Sequence, residues 1–429
     1  TAFADQLRRG LAPHRAHYLF QSHWRPPPQP PLTVSVGELD PLFGRSRFQV
    51  AMRSPSRHRS QELGQEESPG RQHVALSVLA GAYPADAASL FAALDTTLAQ
   101  HARTAGASAH VLRSLHDWQD DVARTRGAFN PLAPHLLVAP LAAGIRRLHA
   151  LRDSADGPLR FHLLREIEDA EEALRLAAGV SLDAIADAPH VVAGETFTLT
   201  LRLWNGGRTP ITVHRLAPDL PAGWTSTAVD TTVTTRVAAP AQPHQVAPGD
   251  VLERRFRIRL PSDADASEAY FLRAPRDGAA YTWSVADSLR ALPFEPRPVR
   301  ASAAVDVGAH INLATEADFL EIDKALGEVR TPVLVVDAVS LHMEPTLLVV
   351  GARDAAPRTV TVRARSMAAG IVAGTLRITA PAGWHVEPAA VDVAFQRRGD
   401  EHTYAFAVTP PATGQVDAVL RARFDTPHR

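Results

Sequence analysis

The chain contains no cysteine, which excludes disulfides, thiolate nucleophiles and cysteine-bound metal. The same absence leaves the compartment open. Lysine is nearly missing too: Lys324 is the only one, and arginine carries the rest of the positive charge. With abundant alanine, this bias suggests a GC-rich coding sequence more readily than a functional demand. Net charge is −1, which argues against a nucleic-acid binder held by bulk charge. No apolar run is long enough to cross a bilayer; the most apolar window, Pro131 to Ile145, is short and broken by Pro134, His135 and Pro140. What is present, 45% hydrophobic and 21% charged residues over 429 positions, describes about three folded domains with a sizeable core.

Thr1 to Gly10 reads as the end of a helix, with Phe3, Leu7 and Leu11 at helical spacing. Strands are expected at His17 to Gln21 and at Leu32 to Val36, separated by the prolines between Pro26 and Pro31, which cannot donate ladder hydrogen bonds. Helix, strand, strand and helix in this order predict the tail of an α/β domain whose front lies upstream, so that the chain is expected to be a piece of a longer protein. His14 and His17 form an HxxH, with His23 six residues on. His14 follows Pro13, His17 enters a strand, and no carboxylate lies nearby. No metal site is expected in this chain on that basis.

Leu42 to Gln65 is the densest chemical segment. Phe48, Val50, Ala51 and Met52 offer an apolar side, and Arg53, Arg57, His58, Arg59, Ser60 and Gln61 crowd behind them. Ser54-Pro55 reads as an N-cap followed by proline at the first helical position, which predicts one helix from about Ser46 and a break or restart at Ser54. His58 and Gln61, three apart, would then share a face.

Gly44-Arg45-Ser46 followed by Arg57-His58-Arg59-Ser60-Gln61 resembles the late segment of the long LmbE/PIG-L-like zinc N-deacetylases, and the preceding VGELDPL fits the same family. Arg47 stands where that pattern has an aromatic, and Pro55 where it has arginine or a similar residue. The resemblance implies a truncated Rossmann-like α/β domain that hydrolyses the acetamide of an N-acetylated sugar or glycoconjugate. It further implies zinc as cofactor, with ligands upstream of Thr1. On this view Arg45, Ser46, Arg53, Arg57, Ser60 and Gln61 are substrate-binding candidates, His58 is the catalytic candidate, and the location is periplasmic or extracellular.

From Arg71 the period becomes helical. Leu90, Phe91, Leu94 and Leu98 predict a helix over Asp86 to Arg103, and Val111, Leu115, Trp118 and Val122 another over Ala107 to Arg126. Two more are expected at Pro140 to Arg152 and Leu159 to Ala178. His116-Asp117 and Asp120-Asp121 read as the polar outer face of one of these helices. After Gly179 the period switches to two: Phe197, Leu199, Leu201 and Leu203 alternate with polar residues, as does Val251 to Leu260.

An internal repeat organises this half. Leu220-Pro221-Ala222-Gly223-Trp224 recurs as Ala380-Pro381-Ala382-Gly383-Trp384, and Gly249-Asp250 is echoed by Gly399-Asp400. The turn resembles that of immunoglobulin-like modules appended to bacterial carbohydrate-active enzymes. Trp224 and Trp384 are candidates for stacking on sugar, although a tryptophan after such a turn more often closes the core. Ala269 to Gly278 reads as an interdomain loop that packs back on the α/β domain.

The expected architecture is therefore multidomain: a partial α/β piece at 1–70, a helical region at 71–179, and two tandem immunoglobulin-like β-sandwiches at 180–298 and 299–429. Two functions fit: the C-terminal part of a zinc-dependent N-acetyl-sugar deacetylase, or a non-catalytic carbohydrate-binding or adhesion protein.

Overall fold

In the computed structural model, which describes residues 4–8, 16–23, 32–84, 89–91, 94–155, 157–229, 243–282, 286, 289, 292, 294–351, 354–411 and 418–426, the chain divides into two units, Thr1–Leu112 and Arg113–Arg429. The first contains α1 (Ala4–Arg8), β1 (Leu19–His23), β2 (Leu32–Ser35), β3 (Leu39–Asp40), β4 (Arg45–Ser46), α2 (Arg47–Arg53), β5 (His73–Ala80) and α3 (Leu98–Thr104). Its sheet runs β1-β5-β2 and both pairings are antiparallel. β5 lies in the stretch read from sequence as the start of a helical region, yet His73 to Val78 is rich in β-branched and aliphatic residues. A parallel, Rossmann-like sheet is not seen among the described residues of this unit.

The helix expected from Asp86 begins only at Leu98. Asp95 accepts hydrogen bonds from the Thr97 amide (3.0 Å) and hydroxyl (2.6 Å), and Thr97 in turn accepts from the Gln100 amide (3.2 Å). These local bonds make a turn that competes with helix and fix the N-cap at Thr97. Phe91, assigned to the apolar stripe, is 67% exposed.

Three long helices follow: α4 (Ala109–Gly127), α5 (Val138–Asp153) and α6 (Gly157–Ala178). α6 buries Leu159, Leu163, Ile167, Ala170 and Leu174, a stripe at helical spacing, against a matching stripe of α5 at Ile145, Leu148 and Leu151. His116, Asp117 and Asp120 are exposed on α4, as a polar outer face requires.

The β-rich part contains β6 (Val180–Ala186), β7 (His190–Val192), β8 (Thr196–Asn205), β9 (Ile211–Asp219), β10 (Thr225–Val229), β11 (His244–Val246), β12 (Val251–Arg259), β13 (Arg300–Asp306), β14 (His310–Glu316), β15 (Asp318–Asp323), β16 (Gly327–Pro332) and β17 (Leu334–Val336). These are followed by β18 (Val339–Glu344), β19 (Arg358–Ser366), β20 (Val372–Thr379), β21 (His385–Glu387), β22 (Val391–Phe395), β23 (Glu401–Thr409) and β24 (Arg421–Asp425). One sandwich packs the sheet β10-β12-β8-β6-β15-β16 on β11-β9-β13-β14, and the other packs β18-β19-β23-β21 on β22-β20-β24. The alternating residues Phe197, Leu199, Leu201 and Leu203 are all buried, with Ile211, Val213, Ala301, Ala303 and Val305 in the same core.

The pairings make the two sandwiches copies of one seven-stranded plan. β6, β8, β12 and β10 correspond to β18, β19, β23 and β21, and β11, β9 and β13 correspond to β22, β20 and β24. The repeated turns match in detail. Gly223 and Gly383 sit at φ 83° and 87°, where a side chain would be strained, and Trp224 and Trp384 each donate a backbone bond to the proline three residues back (3.3 and 3.2 Å). Gly249 donates to Asn205 O (2.6 Å) as Gly399 does to Ser366 O (2.8 Å).

The boundary drawn at 298/299 therefore moves. β13 pairs with β9 over seven residues, so it completes the first copy, and β14 to β17 form an insertion ahead of the second. The segment just ahead of that boundary leads into an interior strand of the first copy's sheet. Ala269 to Gly278 also packs within the second unit: Tyr270 is buried and donates to Leu292 O, and Ser267 exchanges bonds with Val335 (2.8 and 3.0 Å).

Candidate functional site

The helix break expected at Ser54 is present. α2 ends at Arg53, and short 3-10 turns follow at Pro55–Arg57 and Arg59–Gln61, with His58 between them at φ −81°, ψ 63°. His58 and Gln61 therefore do not share an α-helical face. Ser46 is buried and occupied: its hydroxyl accepts from the Gln49 amide (3.2 Å), while Gln49 Oε1 accepts from the Ser46 amide (3.0 Å). That reciprocal pair is a capping box, so the Ser46 side chain holds the helix start. Arg45 pairs with Glu67 at 2.6 Å. Arg53, Arg57, His58, Ser60 and Gln61 are all exposed. They form a run of exposed polar side chains.

Of the histidines near the start, two are described. His14 lies outside the described residues, His17 is exposed, and His23 Nε2 is 2.8 Å from Ser77 Oγ. Among the described residues of this unit no ligand set for the zinc implied by the resemblance is found.

The two repeat tryptophans are half-buried. Trp384 packs against the core of the second sandwich around Phe395 and Phe406, and its Nε1 is buried without a partner among the described residues. It closes the core end. Trp224 occupies the same turn position in the first copy.

A richer surface lies on the outer face of the first sandwich, where the strand alternation that buries Leu199, Leu201 and Leu203 turns Thr196, Thr198, Thr200, Arg202 and Trp204 outward. Cross-strand pairing sets Arg259, Arg257 and Arg255 of β12 beside Thr196, Thr198 and Thr200, and Thr225 and Thr227 of β10 beside Arg259 and Arg257. Glu253 binds Arg202 (3.0 Å) and Arg255 (2.9 Å). Burial alone would raise the Glu253 carboxyl, but the two guanidiniums outweigh it and hold the group below its ordinary value. Arg257 and Arg259 have no ion-pair partner among the described residues. Trp204, 49% exposed, ends this row and lies over Gly206, where an added Cβ would come within 2.8 Å of the indole. The face thus combines fixed hydroxyls, two uncompensated cations and an aromatic plane, all on rigid strands. The sequence reading missed it, although the period of two already placed Trp204 opposite the buried leucines.

A second concavity, about 540 Å³, lies between α4, α5 and α6, lined by Trp118, Val122, Phe129, Leu137, Leu141 and Leu176. Its walls are largely apolar. It offers little to bind a polyhydroxylated ligand.

Residues 191–275, which carry that Thr/Arg/Trp face, match the family model described as "NPCBM-associated, NEW3 domain of alpha-galactosidase". A NEW3 domain of this carbohydrate-associated class is therefore found in the first sandwich. A comparison with curated proteins finds no match. Among solved structures, similarity is found to the secreted serine protease VesC from Vibrio cholerae (10% identity, 55% of this chain and 48% of that one, TM-score 0.17). It is also found to red sea bream transglutaminase (14%, 60% and 31%, TM-score 0.25) and to a protein of unknown function from Porphyromonas gingivalis W83 (12%, 54% and 83%, TM-score 0.19). The chain spans about half the length of the first and a third of the second. At these TM-scores the superpositions carry no argument about fold or activity.

Proposed function

We propose that this chain is a non-catalytic, carbohydrate-binding part of a protein acting on polysaccharide or glycoconjugate outside the cytoplasm, and that the outer face of the first sandwich is its contact surface. The observation that carries this reading is the coincidence of the NEW3 match, named for alpha-galactosidase, with a face of aligned threonines, unpaired arginines and an exposed tryptophan. Sugar hydroxyls fit such a lattice of short donors and acceptors, and an apolar sugar face stacks on an indole. Arg257 and Arg259 favour a glycan that also carries carboxylate or sulfate.

The test is binding of the whole chain to immobilised neutral and anionic polysaccharides. Trp204→Ala is expected to weaken binding roughly tenfold, in line with about 1–2 kcal/mol for a stacked ring. Arg257→Ala should act more strongly on anionic polymers and steepen neither the neutral nor the salt response. Unchanged retention of both variants would remove this face from the reading.

A second reading keeps the deacetylase. It is supported by the resemblance of Gly44 to Ser46 and Arg57 to Gln61, and by the exposure of Arg53, Arg57, His58, Ser60 and Gln61. In that protein the zinc ligands lie ahead of Thr1, and this segment lends polar contacts to an N-acetylated sugar. Joining the upstream half should yield zinc-dependent acetate release that His58→Ala lowers about 10²-fold or more if the imidazole serves as acid. Absence of any acetate release from the joined protein would end this reading.

A further inference from the structure

β9 carries a bulge opposite Ala304 and Val305, and its effect is to turn two consecutive residues, His214 and Arg215, out of the sheet. Without the extra residue the alternation would send one of them into the core. The re-aimed imidazole arrives beside Asp306 of β13, and Asp306 stands directly across from His310 of β14. His214 Nε2 lies 2.6 Å from Asp306 Oδ2, and His310 Nδ1 lies 2.9 Å from Asp306 Oδ1. The two rings are 5.5 Å apart at 52°. The turn joining β13 and β14 is clamped from the helical side: Arg146 donates to Gly308 O (2.6 Å), and Gly308, at φ 86°, approaches Ala142 closely enough that a Cβ would sit 3.3 Å from it.

We infer that His214, Asp306 and His310 form a binding site for a divalent transition-metal ion, zinc being the representative case. Two imidazoles and one carboxylate are the donor set that borderline cations prefer, and one donor atom from each residue already lies within 4.8 Å of the others. A tetrahedral zinc with bonds of about 2.0–2.2 Å holds its ligands roughly 3.3 Å apart, so small side-chain rotations close the site. On binding, each neutral imidazole turns its lone-pair nitrogen to the metal and carries its one proton on the other ring nitrogen, and the Asp306 carboxylate exchanges its two ring contacts for the metal. Three protein ligands leave further positions to water or to an anionic group of a ligand. The site ties three neighbouring strands at the end of the sheet where the helices pack. It does not depend on the carbohydrate reading, since it occupies the opposite sheet of the sandwich from the Thr/Arg/Trp face.

Zinc titration of the metal-stripped full chain, followed by calorimetry and by equilibrium dialysis, tests the inference. One equivalent is expected to bind and to raise the melting temperature, with Co²⁺ giving the visible absorption of a low-symmetry site. His214→Ala, His310→Ala and Asp306→Asn should each weaken binding tenfold or more, and His214→Ala/His310→Ala together should abolish it. His385→Ala, on an exposed histidine of the second sandwich, should change nothing. All three ligands are at the surface, so circular dichroism should report an intact fold in every variant. No stoichiometric zinc, or zinc retained by the double variant, would overturn the site and leave the triad as an ion-pair cluster.

Discussion

Asn205 and Ser366 occupy the same position in the two copies, and both are fully buried. Asn205 Nδ2 donates to Thr209 O and Val246 O, each at 2.9 Å, and its Oδ1 accepts from the Gly207 amide at 3.1 Å. The amide thus stitches the end of β8 to the opposite sheet through β11. The Ser366 hydroxyl has no partner among the described residues. A buried polar group that is satisfied resists removal, whereas an unsatisfied one only adds a desolvation cost. Asn205→Ala is therefore expected to cost about 2–3 kcal/mol in denaturant melts, because it orphans two carbonyls and an amide. Ser366→Ala should be neutral or mildly stabilising. Equal losses in both variants would contradict the asymmetry.

Among the elements, α2 has no buried residue of its own, so its start depends on the cap. Ser46→Ala should cost about 1 kcal/mol and speed amide exchange across 47–53, while Ser46→Asp keeps the cap and the exchange pattern. A Ser46→Ala protein with unaltered exchange would return the hydroxyl to the role of ligand contact. The β6–β16 link is electrostatic: Arg330 reaches Asp183 with two bonds of 2.6 and 2.9 Å. The Arg330 bonds hold the Asp183 carboxyl below its ordinary value against the opposing effect of burial. Because the folded-state value is depressed, the contribution is complete above roughly pH 4, the unfolded range, and fades as pH falls through the folded value. Asp183→Asn should remove about 1 kcal/mol at neutral pH and flatten the acid limb of the stability profile. A variant with the same acid limb would show that the pair contributes nothing.

At the scale of the molecule, strand pairing decides what folds alone. A fragment spanning 338–426 contains all seven strands of the second copy and the core around Val362, Phe395 and Phe406, and it is expected to melt cooperatively. A fragment starting at 299 carries β13 stripped of β9, with its unpaired edge, and should aggregate or fail to gain signal beyond that of 338–426. The copies also meet in the whole chain. Glu195 of the first accepts from the Ala369 amide (2.6 Å) and pairs with Arg398 (3.2 Å) of the second. Glu195→Ala is expected to leave each copy folded and to separate their melting transitions in calorimetry. A single transition unchanged by the substitution would place the coupling elsewhere.

Local pattern was enough for the long helices, for the alternating strands β8 and β12, and for the repeated turns, since each depends on residues close in sequence. The helix start near Ser46 and the break at Ser54-Pro55 were legible for the same reason, but the cap was not: Ser54 makes no side-chain cap bond, and the capping box sits at Ser46. The late start of α3 was not, because the side-chain turn at Asp95-Thr97 competes with an apolar stripe that looks helical by spacing alone. Long-range choices also escaped: that Arg300 to Asp306 completes the first copy rather than opening the second is a matter of which distant strand it bonds. His214, Asp306 and His310 are scattered over nearly a hundred positions, and a one-residue bulge turns the first of them outward. Composition and period determined the elements of this protein, while hydrogen-bond register between remote strands decided its boundaries and which side chains share a surface.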